Sequence, residues 1–212
     1  MSSYRRILLD FDLEMSKSYM TGIVLDIGGG RRRGSFKPPV DASWVILDIY
    51  ESLYPHILGN AHNIPIKSNL IDCVKCTDLL EHVEYPRKVL KEVSRVLKPS
   101  GVLILSVPFN YPIHGDPYDF QRFTDEKLRR ILKDDFQILT LKRQGLYFTV
   151  LADTIKSALL NSRSSMKRLF YPFLPVLDLL VRIDNRSSVK NSKFMNSFTT
   201  GFFVIAVADK RM

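Results

Sequence analysis

Val24-Leu25-Asp26-Ile27-Gly28-Gly29-Gly30 is a short apolar run that ends on an acid and passes straight into glycines. Ile23 to Ile27 has the β-branched character and length of a buried parallel strand. The glycines behind it let the backbone turn tightly and approach a ligand with no Cβ in the way. Asp26 then stands at a strand tip, where a carboxylate can receive a positively charged amino group. A loop built for a diphosphate would gain nothing from that anion. Asp48 closes the next apolar run, Trp44-Val45-Ile46-Leu47-Asp48, 22 residues further on. A carboxylate there can accept from both ribose hydroxyls of an adenosine.

Outward from this pair, strand and helix patterns alternate, which predicts a parallel α/β sheet. A short strand is expected at Ile57-Leu58, with others at 71–76 and at 102–107. Pro86 suits the first turn of a helix whose face is Val89, Leu90, Val93, Val96 and Leu97, and Lys98-Pro99-Ser100-Gly101 is expected to stop it. Thr124-Asp125-Glu126 opens another helix, with Leu128, Ile131 and Leu132 inward. Strands at 136–141 and 202–207 complete the set. Pro38-Pro39 excludes a long helix after the first strand. Residues 1–20 are expected to cap the sheet, and residues 146–185 to form a lid-like or interfacial insertion before the last strand, all within one domain spanning 1–212.

These residues resemble class I S-adenosylmethionine (SAM)-dependent methyltransferases of the type 11-like kind, and the resemblance runs from about residue 22 to 124. Gly59-Asn60-Ala61-His62-Asn63-Ile64-Pro65 is similar to the family's adenine-side loop. Asp78-Leu79-Leu80-Glu81-His82-Val83 matches its Leu-Glu-His turn, and Arg95-Val96-Leu97-Lys98-Pro99-Ser100-Gly101 its segment Arg-Val-Leu-Lys-Pro-Gly-Gly. The resemblance implies a Rossmann-like α/β fold: a mostly parallel seven-stranded sheet with helices on both faces and a C-terminal antiparallel strand. It implies SAM as cofactor, with Asp26, Gly28, Gly29 and Gly30 at the methionine moiety and Asp48 on the ribose. Asn60 and Ala61 would lie at the adenine, and Asp78 near the methionine end. Arg32 stands where the family often has a third glycine.

The acceptor side is expected in the loop after the central strand, Pro112-Ile113-His114-Gly115-Asp116-Pro117-Tyr118-Asp119-Phe120-Gln121-Arg122. In open parallel sheets, ligands bind beyond the carboxyl ends of the strands. His114 is a candidate general base for a hydroxyl acceptor, with Asp119 and Arg122 as candidate substrate contacts or simply as a pair for one another. His82 is read as a packing or capping residue. No metal is expected: Cys73 and Cys76 have the spacing of a ligand pair but point to opposite faces of one strand, and no second pair exists.

Net charge is +9, from 31 Lys and Arg against 22 Asp and Glu, and much of the excess lies between Arg163 and Lys193. That bias attracts anionic partners and suggests peripheral membrane contact through 163–193. No apolar stretch reaches the roughly 20 residues of a spanning helix, and two cysteines offer no disulfide framework, so a cytoplasmic location is expected. A small molecule, a sugar or a lipid-linked glycan is the expected acceptor, methylated at oxygen by a monomer or homodimer. Three rivals are weighed. Against an RNA methyltransferase, Thr77-Asp78-Leu79-Leu80 stands where amino-directed nucleic-acid enzymes carry an Asn-Pro-Pro-Tyr type sequence. Against a nicotinamide dehydrogenase, Arg33 occupies the third glycine place of its fingerprint. A non-catalytic partner subunit would keep the fold but not methyl transfer.

Overall fold

The computed structural model describes residues 2–29, 34–115, 118–161, 172 and 174–210. Seven strands form one sheet: β1 (Ile23–Ile27), β2 (Ser43–Asp48), β3 (Ile57–Leu58), β4 (Ile71–Thr77), β5 (Leu97–Pro108), β6 (Phe136–Arg143) and β7 (Gly201–Ala208). Their spatial order is β3-β2-β1-β4-β5-β7-β6. The first five run parallel, and β7 is antiparallel to both β5 and β6. The expected Rossmann-like architecture is therefore the observed one.

Side chains alternate across this sheet and fill two cores. On one face, Leu25, Val74, Leu103 and Val204 meet the helices α2 (Pro86–Val96) and α3 (Asp125–Leu132) through Val89, Val93, Leu128 and Leu132. On the other, Val24, Cys73, Ile104 and Phe203 meet Leu9 and Leu13 of the N-terminal helix α1 (Tyr4–Met15) and Met20 beyond it. Cys73 and Cys76 do face opposite sides, one in each core. Residues 34–42 contain no helix, as the two prolines require, and α1 covers that face instead. Asp10 of α1 fastens the connection by accepting from the Ser35 amide at 2.5 Å and the Ser35 hydroxyl at 2.9 Å.

Local chemistry explains the helix ends. Pro86 occupies the first turn of α2, and the Thr124 hydroxyl caps α3 by accepting from the Lys127 amide at 3.2 Å. One expectation is corrected. Leu97 does not extend the α2 face; it is already extended (φ −63°, ψ 143°) and pairs with Ile71. Lys98 to Gly101 thus lie inside β5 rather than before it. Between Ile71 and Cys73 the register shifts, so residues 97–102 span the length of 71–73, and Ser100 takes a positive φ of 63° within this bulge.

Between β6 and β7 lie α4 (Tyr147–Asn161), α5 (Leu174–Ile183) and the single turn α6 (Ser187–Lys190). Asp184 caps α4 from a distance, accepting from the amides of Leu146, Phe148 and Thr149 at 2.8 to 3.1 Å. Tyr4, Ala152 and Leu177 bury one another, which docks this excursion on the N-terminal helix. The Tyr4 hydroxyl donates to Asp178 at 2.5 Å and the Arg5 amide to Asp153 at 3.1 Å. Arg163, Lys167 and Arg168, and part of the apolar section 169–181, lie outside the described residues. Among the described residues no helix is long and apolar enough to cross a membrane.

Candidate active site

A cavity of about 530 Å³ opens at the carboxyl ends of β1, β2 and β4, the place an open parallel sheet offers its ligand. Its volume is in the range of small-molecule and cofactor sites. Asp26, Gly28, Gly29 and Asp48 form one part of its wall. Asn60, Ala61 and Asp78 form another. Of the expected cofactor residues only Gly30 is not among them; it lies, with Arg31 to Arg33, outside the described residues.

Strand geometry places the two acids. Asp26 follows Val24 on the α1 face, and it comes into register with Lys75 of β4 on that same face. Lys75 Nζ donates to Asp26 Oδ1 at 2.8 Å, which leaves the carboxylate ion-paired at the cavity floor. Gly28 turns the chain with φ 74°, a conformation that favours glycine. At Gly29, a Cβ would stand 2.3 Å from the Asp26 carboxyl carbon. The bend is therefore bare because the acid occupies the space a side chain would take. The bend and the acid beside it form an anionic stretch of the cavity wall, which suits an ammonium group. Asp48, 6% exposed, accepts from the Tyr50 amide at 3.1 Å. Asn60 Oδ1 accepts from the His62 amide at 2.9 Å, so its side chain is already oriented toward its own loop.

Asp78 lines the cavity, but its carboxylate belongs to the N-terminal helix. Arg5 holds it through both Nη atoms, at 3.0 and 2.5 Å, Arg6 Nη2 at 2.7 Å, and the Ser106 hydroxyl at 3.0 Å. Burial alone would raise this carboxyl; the guanidinium of Arg5, then that of Arg6, overcome it and hold Asp78 well below the usual carboxylate range. The expected place near the methionine end is thus occupied by a side chain whose acceptor capacity is largely used. Nothing in the local sequence announces this partner, because Arg5 is 73 residues away.

Beside Asp78 the chain turns through Leu80–His82, and the loop after β5 is laced onto that turn. The Phe120 amide donates to Glu81 O at 2.8 Å, and Gln121 Nε2 to Val83 O at 2.8 Å. His82, read from sequence as a packing residue, lines the cavity. Its Nδ1 lies 2.6 Å from Tyr118 O. The expected acceptor residues gather one layer behind it. The His114 ring meets that of His82 edge to face, with centroids 4.9 Å apart. Asp119 accepts from the His114 amide at 2.9 Å, and its carboxylate is bound by Arg122, through Nη1 and, at 2.7 Å, through Nη2. The Arg122 pairing holds Asp119 down at about 2. His114 is lowered, first by burial. His114, Asp119 and Arg122 therefore cluster, but none of them lines the cavity wall; His82 does. The signal that finds it is positional: His82 and His114 follow the carboxyl ends of neighbouring strands, β4 and β5.

Glu81 is the remaining member. It is fully buried, and its carboxyl is pushed up to about 8, by burial first and by the charge of Asp78 second.

With this geometry in place, the comparisons show what the chain is similar to. Residues 40–105 match the methyltransferase domain family. The sheet is the one shared with a SAM-dependent methyltransferase from Archaeoglobus fulgidus (TM-score 0.55, 16% identity, covering 95% of this chain and 94% of that one). It is shared also with phosphoethanolamine N-methyltransferase 2 of Haemonchus contortus, solved in complex with S-adenosyl-L-methionine (TM-score 0.54, 16% identity, 95% and 53%). Residues 40–105 are thus similar in sequence to methyltransferase domains, and the sheet has the fold of the SAM-dependent methyltransferases just named. Among curated relatives, demethylmenaquinone methyltransferase of Paenarthrobacter aurescens is 31% identical over 123 residues, 52% of this chain and 46% of that protein. The chain spans less than half the length of the curated relatives it matches.

Proposed function

We propose that the chain transfers a methyl group from SAM to an oxygen of a small-molecule, sugar or lipid-linked glycan acceptor. The observation that carries this reading is that one cavity is lined by two strand-tip carboxylates, Asp26 and Asp48, and by the bare bend at Gly28 and Gly29. SAM, when bound, supplies an already activated methyl group on a sulfonium. What the protein must add is mainly position. Asp26 receives the amino group at the floor, Asp48 fixes the ribose, and Asn60 and Ala61 border the adenine. His82, in the cavity wall with His114 packed against its ring, marks the acceptor side. Asp119 and Arg122 hold His114 in place rather than meeting the acceptor directly.

Calorimetric titration with SAM, its demethylated product and NAD tests the reading. SAM and its product are expected to bind and NAD is not; absence of SAM binding would overturn the assignment. Radiolabelled SAM incubated with fractionated cell extract then identifies the acceptor class. As part of the same proposal, the basic residues Arg182, Arg186, Lys190 and Lys193, beside exposed Val176 and Leu179 of α5, contact an anionic membrane surface peripherally. Flotation with anionic liposomes checks that, and sedimentation distinguishes monomer from homodimer.

A further inference from the structure

Glu81 is 0% exposed, and neither carboxylate oxygen has a hydrogen-bond partner among the described residues beyond its own backbone amide. A buried carboxylate left without a partner is costly, so native structures pair it, keep it protonated or give it a metal ion. Two imidazoles stand beside it. One ligand atom from each of Glu81, His82 and His114 can be chosen so that all three lie within 4.8 Å of one another. Glu81 Oε1 is 3.8 Å from His82 Nε2.

Both rings are set up in the way metal-bound histidines are. His82 Nδ1 faces the Tyr118 carbonyl at 2.6 Å, and His114 Nδ1 faces the Pro112 carbonyl at 3.1 Å. Carbonyl oxygens only accept, so in each neutral ring Nδ1 carries the proton and Nε2 keeps its lone pair. A ligating histidine characteristically donates its other N–H to a carbonyl or carboxylate, which fixes both tautomer and ring orientation. Asp119 and Arg122 extend this support outward, because Asp119 anchors the His114 amide.

We propose that Glu81, His82 and His114 bind one divalent first-row transition cation at the acceptor edge of the cavity. Two imidazole nitrogens and one carboxylate suit such a cation better than magnesium or calcium, which favour oxygen ligands throughout. Three protein ligands leave coordination positions open, and His82 is the one of the three that lines the cavity. A cation there polarises an acceptor oxygen and holds it against the methyl donor. The proposal deepens the methyltransferase reading and rests on it for the choice of acceptor chemistry. His114 then serves the acceptor by holding the cation instead of taking a proton itself.

Tag-free full-length protein stripped with EDTA and titrated with Co2+, read by calorimetry and by visible absorption, tests the site. One equivalent is expected to bind, to be displaced by Zn2+, and to be weakened roughly tenfold or more in His82→Ala, His114→Ala and the isosteric Glu81→Gln. Thermal melting shows that each variant is folded, and partly exposed His114 gives the safest one. Lack of stoichiometric Co2+ binding, or unchanged binding in folded His114→Ala and His82→Ala, overturns the site. SAM titrated into the metal-free protein reads the cofactor assignment separately, so failure of one proposal is not mistaken for failure of the other.

Discussion

Asp26 and Lys75 stand in register on adjacent parallel strands, and the lysine ammonium lies 2.8 Å from Asp26 Oδ1. The acid is therefore ion-paired before any ligand arrives. Its carboxyl group lies against Gly29, and both residues line the cavity, where an incoming ammonium would meet the acid.

Replacing Asp26 by Asn removes the negative charge and keeps the shape. A hydrogen bond to a charged group contributes about 1.5–3 kcal/mol, so SAM is expected to bind roughly 10- to 150-fold more weakly. Isothermal titration measures this directly. An unchanged dissociation constant would remove Asp26 from the cofactor site.

Asp78 ties the N-terminal helix to the tip of β4. Asp78→Asn leaves the Arg5 guanidinium, 4% exposed, without its counter-charge. Breaking a buried pair from one side costs about 3–5 kcal/mol, and urea midpoints at pH 7 are expected to fall accordingly. The pH dependence follows from the sign of the shift. A carboxyl held below its unfolded value of about 4 contributes stability that is fully present above that pH and is lost as pH falls through the folded value. The native protein is thus expected to lose stability steeply below about pH 4, and Asp78→Asn to show a shallower acid limb.

Much of the scaffold could be read along the chain because it is periodic. Alternation put Val24 and Cys73 on one face and Leu25 and Val74 on the other, and strand ends fixed where Asp26 and Asp48 stand. The start of β5 was misplaced because Pro99 and Gly101 signal a break, whereas a register shift against β4 absorbs them. The partners of the site residues were illegible for a different reason. Lys75 reaches Asp26 through strand register, Arg5 reaches Asp78 across 73 residues, and His82 meets His114 where two separate loops touch. None of these contacts leaves a trace in local spacing.

The two thiols give a check on the sheet itself. Burial, and then the charge of Asp26, raise the Cys73 thiol to about 12, and burial raises Cys76 as well. Thiolate is the reactive form, so neither cysteine is expected to react with a disulfide reagent at pH 8 in the folded protein, and both in denaturant. Rapid labelling without denaturant would show that β4 is not the buried central strand.

Gly29 separates the cradle from its glycine composition. Its φ is not in the left-handed region, so alanine there strains no backbone. The added Cβ would instead fall 2.3 Å from the Asp26 carboxyl carbon and 2.5 Å from Oδ2. The acid must swing away from its place in the cavity wall. Gly29→Ala is expected to melt within a few degrees of the native protein, yet to bind SAM at least as poorly as Asp26→Asn. Combining the two substitutions should add little, because residues in contact that disable one interaction are not additive. A double variant that is weaker by the sum of the two losses would mean that Gly29 serves the cofactor independently of Asp26.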